Sequence, residues 1–239
     1  LGLVFLLACT GSNPNAGGDP DGGGDPDGGV VDTDGGTGAD GGGVVPVPVP
    51  RACVTTMTEP AAGGQRLYVS PTGNDAQGGT TPQTALRTIA AALGKAKAGD
   101  VVQLAAGATF NEVIDFKAGG TAGRPITVTS DPANRARIVA ATGKTGVAVS
   151  NVGQVIVENL IVSGPGMNLT KAIGVRAVSD GGRFRGLTFR NLDVSGFNEG
   201  LQVLSYNKAT DGFDDVLIES CALHDNLQGG GSTYGLAAT

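Results

Sequence analysis

The sequence predicts an all-β chain folded as a right-handed parallel β-helix with a short N-terminal capping helix, and two internal repeats carry that prediction. The first repeat joins an apolar, a charged, an Asn or Ser and a second apolar residue, at offsets of 32 and 29, in residues 157–163, 189–195 and 218–224. The second repeat is a Gly-led apolar segment, at offsets of 28, 26 and 35, in residues 146–149, 174–177, 200–203 and 235–238. Two interleaved series at nearly matched spacing indicate one coil of chain per repeat.

The first repeat also predicts which side chains stack between coils. Each segment is too short to be stable alone, so neighbouring coils must pair and bury like residues on like. One expected column is apolar and faces the core: Leu160, Leu192 and Cys221. A second expected column lies at a strand bend, where stacked side chains satisfy backbone groups: Asn159, Asn191 and Ser220. A β-sandwich, the main structural alternative, predicts hairpin turns at shorter spacing and no two-series repeat.

The N-terminal part of the solenoid contains the capping helix. Leu86, Ile89 and Leu93 fall at i, i+3 and i+7, with threonines before them and Gly99 after them. This spacing predicts an amphipathic helix of about three turns. A repeat protein must cover its terminal apolar cross-section, and this helix is placed to do so.

Four segments are expected along the chain. Residues 1–9 are an apolar run ending in Leu6-Leu7-Ala8-Cys9, which resembles a bacterial lipobox and implies lipidation of Cys9; an ordinary cleaved signal peptide is the alternative. Residues 10–50 are a linker whose stretch from 10 to 43 holds 14 Gly and 7 Asp, a composition typical of disorder. Residues 51–65 form a lead-in, and residues 66–239 form the β-helix. Residues 235–239 begin a further coil, so we expect the natural chain to continue.

Charge and cysteine content limit the function classes. The chain has 16 basic and 22 acidic residues, but the linker holds 7 of the acidic ones and no basic one, so 16 basic and 15 acidic residues remain for the rest. A nearly neutral domain has no basic footprint for nucleic acid, which we do not expect as a partner. Cys53 and Cys221 can pair in an exported protein, but the core position of Cys221 favours a buried free thiol.

Several motifs carry a family resemblance. They occur in this order: Leu-Tyr-Val-Ser-Pro-Thr-Gly-Asn-Asp at 67–75, the helix at 84–93, and segments 99–102, 107–110 and 123–128. Together they resemble the N-terminal region of pectate-lyase-like right-handed β-helix proteins of the exported lipoprotein type. The resemblance covers about residues 66–230 and implies an exported protein that acts on polysaccharide. It further implies a Lys or Arg base, with carboxylates that hold calcium.

The candidate site lies on the loop between the two repeats, which widens from coil to coil. Lys208 is the expected base. The acidic residues of the loop are the expected calcium ligands: Asp211, Asp214 and Asp215. Arginines near this loop are the expected substrate-binding residues: Arg176, Arg183 and Arg185. Arg176 and Gln202 occupy matching positions that alternate with apolar residues, so both should point outward. His224, the single histidine, falls at a solvent-facing turn position.

These observations predict a surface-tethered β-helix that binds acidic polysaccharide and cleaves it by β-elimination. Its expected location is the outer membrane or cell surface, through a lipid anchor at Cys9, and otherwise the secreted fraction. The competing hypothesis is a non-catalytic adhesin or structural surface protein, in which the solenoid serves as a rigid rod.

Overall fold

The computed structural model describes residues 56–166, 171–206 and 210–226, and the backbone of residues 236–238. Nearly all regular structure is β. The strands are β1 (Arg66–Val69), β2 (Val101–Leu104), β3 (Thr109–Phe110), β4 (Ile114–Phe116), β5 (Ile126–Thr129), β6 (Ala136–Val139), β7 (Val147–Ser150), β8 (Val155–Ser163), β9 (Ile173–Ser179), β10 (Arg183–Ser195), β11 (Glu199–Ser205), β12 (Gly212–Glu219), β13 (Ala222–His224) and β14 (Leu236–Ala238). A 3-10 turn (Pro82–Thr84) and one helix, α1 (Ile89–Lys95), lie between β1 and β2.

The strands form two sheets in which every pairing is parallel. Sheet A has the order β1-β2-β5-β8-β10-β12, and β13, β6 and β3 extend it beside the longer strands. Sheet B has the order β14-β11-β9-β7-β4. From β2 onward, each coil therefore contributes strands to both sheets before the next coil begins. The fold is the predicted right-handed parallel β-helix, with about four turns in this chain.

A column of left-handed residues bends sheet A, as the first repeat predicted. Asn159, Asn191 and Ser220 have φ of 58°, 49° and 54°, a region that Asn tolerates better than most residues. The Nδ2 of Asn191 donates to Oδ1 of Asn159 at 2.7 Å, and the Nδ2 of Asn159 donates to Oγ1 of Thr129 at 3.2 Å. The bend thus pairs its own amides from coil to coil.

The predicted apolar column lies in the core. Leu160 and Leu192 are paired between β8 and β10, and the register of β13 places Cys221 beside Leu192. The exposed fractions of these three side chains are 0%, 1% and 3%. Cys221 is a buried free thiol, as its position predicted. Burial raises the pKa of this thiol to about 11, so the thiolate is scarce at neutral pH.

The capping helix is shorter than the sequence predicted. It begins at Ile89 because Thr88 is its N-cap, with a side chain that accepts a hydrogen bond from the Ala91 N–H. Thr88 is itself held by the Asp75 carboxylate, which accepts hydrogen bonds from the Thr88 backbone N–H and from the Thr88 hydroxyl. Leu86 therefore lies before the helix, where it is buried and bridges to Val69. No helix among the described residues is both long and apolar enough to cross a bilayer.

The described end of the lead-in crosses the outer surface of sheet A. Thr58 donates to the carboxylate of Glu158 through its backbone N–H (2.6 Å) and its hydroxyl (3.0 Å). Arg190 donates from Nε to the same carboxylate at 2.6 Å and from Nη2 to the Thr58 hydroxyl at 2.7 Å. The Glu158 carboxylate, which has no exposed surface, is thus paired and hydrogen-bonded, as a buried charge requires. The linker before residue 51 lies outside the described residues.

Candidate functional site

A cleft of about 550 Å³ lies on the outer surface of sheet B. Strands β9 and β11 lie side by side there, with Arg176 opposite Gln202. Both residues alternate with buried apolar neighbours such as Val175 and Leu201, so the strand period turns them outward. The polar side chains that line the cleft are Thr145, Lys171, Arg176, Asn198, Glu199, Gln202 and Tyr206.

Arg176 is fixed in this cleft by uncharged partners. Its Nε donates to Oε1 of Gln202 at 3.1 Å, and its Nη2 donates to the Tyr206 hydroxyl at 2.7 Å. Among the described residues, no carboxylate forms an ion pair with this guanidinium. Its charge is therefore held in place without being neutralised, which is the state that favours an anionic ligand.

A second basic group lies at the start of β10, where two arginines pair with one carboxylate. Arg183 donates to Asp214 from Nε at 3.0 and 2.9 Å and from Nη2 at 2.8 Å, while Arg185 Nη2 lies 3.3 Å from Oδ2 of the same carboxylate. The hydrogen bonds and charge of Arg183 lower the pKa of Asp214, and Asp214 in turn raises the pKa of Arg183. All three residues lie on strands β10 and β12, although the sequence placed them on a loop.

The described residues do not assemble the expected calcium site. Asp211 is buried and accepts a hydrogen bond from the Gly181 N–H at 2.9 Å. Arginines contact both oxygens of Asp214, and Asp215 is exposed within β12 at a left-handed position with φ of 58°. Within the part of the chain that the structure describes, no three His, Cys, Asp or Glu residues are grouped to hold a metal ion. The three aspartates were expected to converge because they are close in sequence, but strand alternation and arginine pairing separate them.

Lys208, the predicted base, and Cys9, the predicted lipidation site, lie outside the described residues, so both stay predictions. His224 has a half-exposed side chain whose Nε2 lies 2.9 Å from Asp193 and whose Nδ1 lies 2.8 Å from Asp225. Hydrogen bonds that the imidazole ring donates to Asp225 and Asp193 raise the pKa of His224. Because carboxylates only accept, both ring nitrogens must donate, so this arrangement suits an imidazolium and leaves no ring nitrogen for a metal.

The sequence predicted a binding role for only one charged residue of the cleft, Arg176. The outward positions of Arg176 and Gln202 followed from strand alternation, but Lys171, Glu199 and Tyr206 were not assigned a role. Glu199 is the first residue of β11, and Lys171 lies just before β9. The matched strand offsets could have placed both beside Arg176, since the register of two coils fixes which residues are neighbours.

Comparison with known proteins supports the fold. No family model matches the chain. It is 47% identical over 64 residues to the uncharacterized protein YwoF of Bacillus subtilis (strain 168), a match that covers 27% of this chain and 13% of that protein. Two structures of a GH136 lacto-N-biosidase from Eubacterium ramulus superpose with TM-scores of 0.56 and 0.54 at 19% and 18% identity. They cover 66% and 67% of this chain, which spans 34% of the biosidase.

The fold and the surface together define the class of protein. The chain is a right-handed parallel β-helix that presents a polar cleft on one sheet and, on the other, a cluster of two arginines paired with one aspartate. At the identities above, the likeness to solved structures shows this fold alone.

Proposed function

We propose that this β-helix binds an acidic polysaccharide in the cleft on sheet B. The observation that carries the proposal is the guanidinium of Arg176, which Gln202 and Tyr206 hold in place without neutralising it. Lys171 supplies a second cation to the same cleft. Guanidinium groups bind carboxylates and sulfates through charge-assisted hydrogen bonds, and these are the anionic groups that acidic polysaccharides carry.

Two further observations support a carbohydrate ligand. Tyr206 is 41% exposed at the cleft, and an exposed aromatic ring presents an apolar face to a sugar ring while its hydroxyl binds Arg176. The lacto-N-biosidase that shares the fold is named for its action on a carbohydrate.

Cleavage by β-elimination is the finer proposal. It requires a base that removes the proton next to the uronate carboxylate, and a positive charge that stabilises the carbanion as it forms. Lys208 is the proposed base, two positions after Tyr206 in the sequence, and Arg176 is the proposed partner of the substrate carboxylate. No calcium is assigned to this reaction, because the described aspartates do not fit a calcium site.

The tether and location are also proposals. The lipobox-like Leu6-Leu7-Ala8-Cys9 and the Gly- and Asp-rich linker support a protein held at the outer membrane or cell surface by a lipid on Cys9. Cys9→Ser should release the protein from the membrane fraction. Unchanged partitioning of that variant would contradict the anchor.

Binding can be tested by titration calorimetry of the full chain with pectate, alginate and glycosaminoglycan fragments. Arg176→Ala should weaken binding about tenfold, the size of one charge-assisted contact. Arg183→Ala is the matched control, because it removes the same charge from a residue that Asp214 neutralises. Equal effects of the two substitutions would contradict the cleft as the binding site.

Cleavage has a separate measurement. The ultraviolet absorbance of an unsaturated uronate should rise with time for the wild-type chain and stay flat for Lys208→Ala, while the two proteins bind equally. Binding without any absorbance change in the wild-type protein would favour the alternative, a non-catalytic adhesin or structural surface protein.

A further inference from the structure

Residues 56–60 of the lead-in form a strap over the outer surface of sheet A. None of these five residues is buried, and none of the described side chains that pack against the apolar core belongs to the strap. The strap nevertheless covers the carboxylate of Glu158, which has no exposed surface. A segment held by hydrogen bonds, without buried apolar contacts, opens at a lower free energy than the coils beneath it.

Thr58 is the strap residue that occupies the carboxylate. Its backbone N–H donates to Oε1 of Glu158 at 2.6 Å, and its hydroxyl donates to Oε2 at 3.0 Å. The same hydroxyl accepts a hydrogen bond from Nη2 of Arg190 at 2.7 Å. Glu158 and Arg190 are thus bridged by an amide N–H and a hydroxyl that are carried on adjacent carbons, the Cα and Cβ of one threonine.

A 2-acetamido sugar with a free 3-hydroxyl carries the same two groups on adjacent carbons. Its amide N–H and its hydroxyl can donate to the two oxygens of Glu158, and the hydroxyl oxygen can accept from Arg190. The charges of the site favour such an uncharged ligand. Arg190 is already paired with Glu158, through Nε at 2.6 Å, and the register places the carboxylate of Glu219 on its other side.

The surface beside this pair is partly apolar. The neighbouring column of outward side chains lies two positions earlier on the same three strands: Ile156, Thr188 and Leu217. Leu217 is 41% exposed. Sugar rings present both hydroxyls and C–H groups, so a polar pair next to an exposed aliphatic side chain matches both parts of such a ring.

We propose that Glu158 and Arg190 form a second binding site, on sheet A, for an uncharged N-acetylated sugar with a free 3-hydroxyl, and that Thr58 of the strap takes the place of this sugar in the structure. The ligand and the strap compete for the same atoms. A ligand therefore binds only the fraction of molecules in which the strap is open, and its apparent affinity is reduced by that fraction. The site is separate from the cleft on sheet B and goes beyond the proposed function.

Titration calorimetry of the full chain with chitotetraose and cellotetraose tests the site. The two probes share length and linkage and differ at C2, which carries an acetamido group in the first and a hydroxyl in the second. Thr58→Ala removes the hydroxyl that holds the strap, so this variant should bind chitotetraose about tenfold more tightly than wild type. Cellotetraose should bind more weakly than chitotetraose, because its hydroxyl must lose rotational freedom to point at Glu158, whereas an amide N–H is already fixed.

Two substitutions serve as matched controls. Thr56→Ala makes the same change in the same strap, but Thr56 contacts Asn159 through its backbone oxygen, so the affinity should stay at the wild-type value. Arg176→Ala removes the cation of the cleft on sheet B and should leave chitotetraose binding unchanged. Failure of the cleft and failure of this site are therefore distinguishable.

Adding Glu158→Gln to Thr58→Ala should remove the gain in affinity, since the glutamine side chain has one acceptor oxygen where the carboxylate has two. The urea midpoint of unfolding shows whether this double variant is folded. Hydrogen exchange of the wild-type chain needs no substitution: saturating chitotetraose should speed exchange of the Thr58 amide, because the ligand takes the carboxylate that this N–H binds.

Four results would overturn the proposal. They are an absence of chitotetraose binding to Thr58→Ala, equal affinity for the two probes, a folded double variant that keeps the gain, and exchange of the Thr58 amide that is unchanged or slower at saturating chitotetraose.

Discussion

Arg176 and Arg183 lie seven residues apart in sequence, on the consecutive strands β9 and β10, and differ in the charge of their partners. Arg183 forms a bidentate contact with Asp214 of the next coil, and Arg185 adds to it. Arg176 meets Gln202 and Tyr206 of the next coil, and both are uncharged. The charge of Arg183 is therefore balanced by a carboxylate, whereas the charge of Arg176 stays available to a ligand.

The difference shows how a stacked fold decides which charges are available to a ligand. Coils pair residue by residue, so the neighbour of an outward side chain is set by the register: Arg185 faces Asp214, and Arg176 faces Gln202. A carboxylate at the register position removes a cation from the ligand-binding surface. An amide there orients the cation and leaves its charge in place.

Both regions depend on the apolar column beneath them, and breaking it has the largest expected effect. Leu192→Asp places a charge between Leu160 and Cys221 and should cost roughly 3–5 kcal/mol of folding free energy. The measurement is the urea midpoint of unfolding of the full chain. Leu217→Asp is the control, because Leu217 is 41% exposed. Equal midpoints for the two variants would mean that Leu192 is not a core residue.

Removing Asp214 should make the neutralised region resemble the cleft. Asp214→Asn releases Arg183 and Arg185, so the affinity for an acidic polymer should rise by about twofold and fall again with salt. Asp180→Asn removes one negative charge from the same surface without an arginine partner among the described residues. A rise of the same size in that control would attribute the effect to net charge alone.

The contribution of the Arg183–Asp214 contact to folding stability depends on pH with a defined sign. Arg183 lowers the pKa of Asp214, so the contact stabilises the fold above the ordinary carboxyl pKa and is lost as the pH falls through the lowered value. Thermal unfolding from pH 6 to pH 2 should therefore show a smaller acid-induced loss for Asp214→Asn than for wild type. Parallel curves would contradict the pairing.

The smallest expected effect comes from His224, another surface charge with paired partners. Asp225 and Asp193 raise its pKa, so its contribution is complete below the unfolded-state pKa and is lost as the pH rises through the raised folded value. The chain has one histidine, so its ring signal in a proton NMR titration is directly assignable. Asp225→Asn should lower the midpoint, and a midpoint that stays unchanged would exclude Asp225 as a partner.

The repeat spacing was sufficient to predict the solenoid and its core. Leu160, Leu192 and Cys221 could be aligned from offsets alone, because a strand that stacks on its copy must bury the same positions. The bend at Asn159, Asn191 and Ser220 followed in the same way, because the three residues align at the same offsets; their left-handed backbone is a finding of the structure. The predicted helix length was wrong because the N-cap at Thr88 sets where the helix begins. That cap is held by Asp75, which is not part of the apolar pattern.

The candidate site was predicted only in part. The sequence alone determined which residues point outward, because a two-residue strand period follows directly from the apolar pattern. It did not determine which outward side chains contact each other. Three aspartates close in sequence were therefore grouped as calcium ligands, whereas in the structure Asp211 accepts from a backbone N–H and Asp214 binds arginines. The tertiary structure decided that Gln202 lies between Glu199 and Arg176. Such contacts join separate coils, and their geometry depends on the register and the loop lengths, which only the folded chain defines.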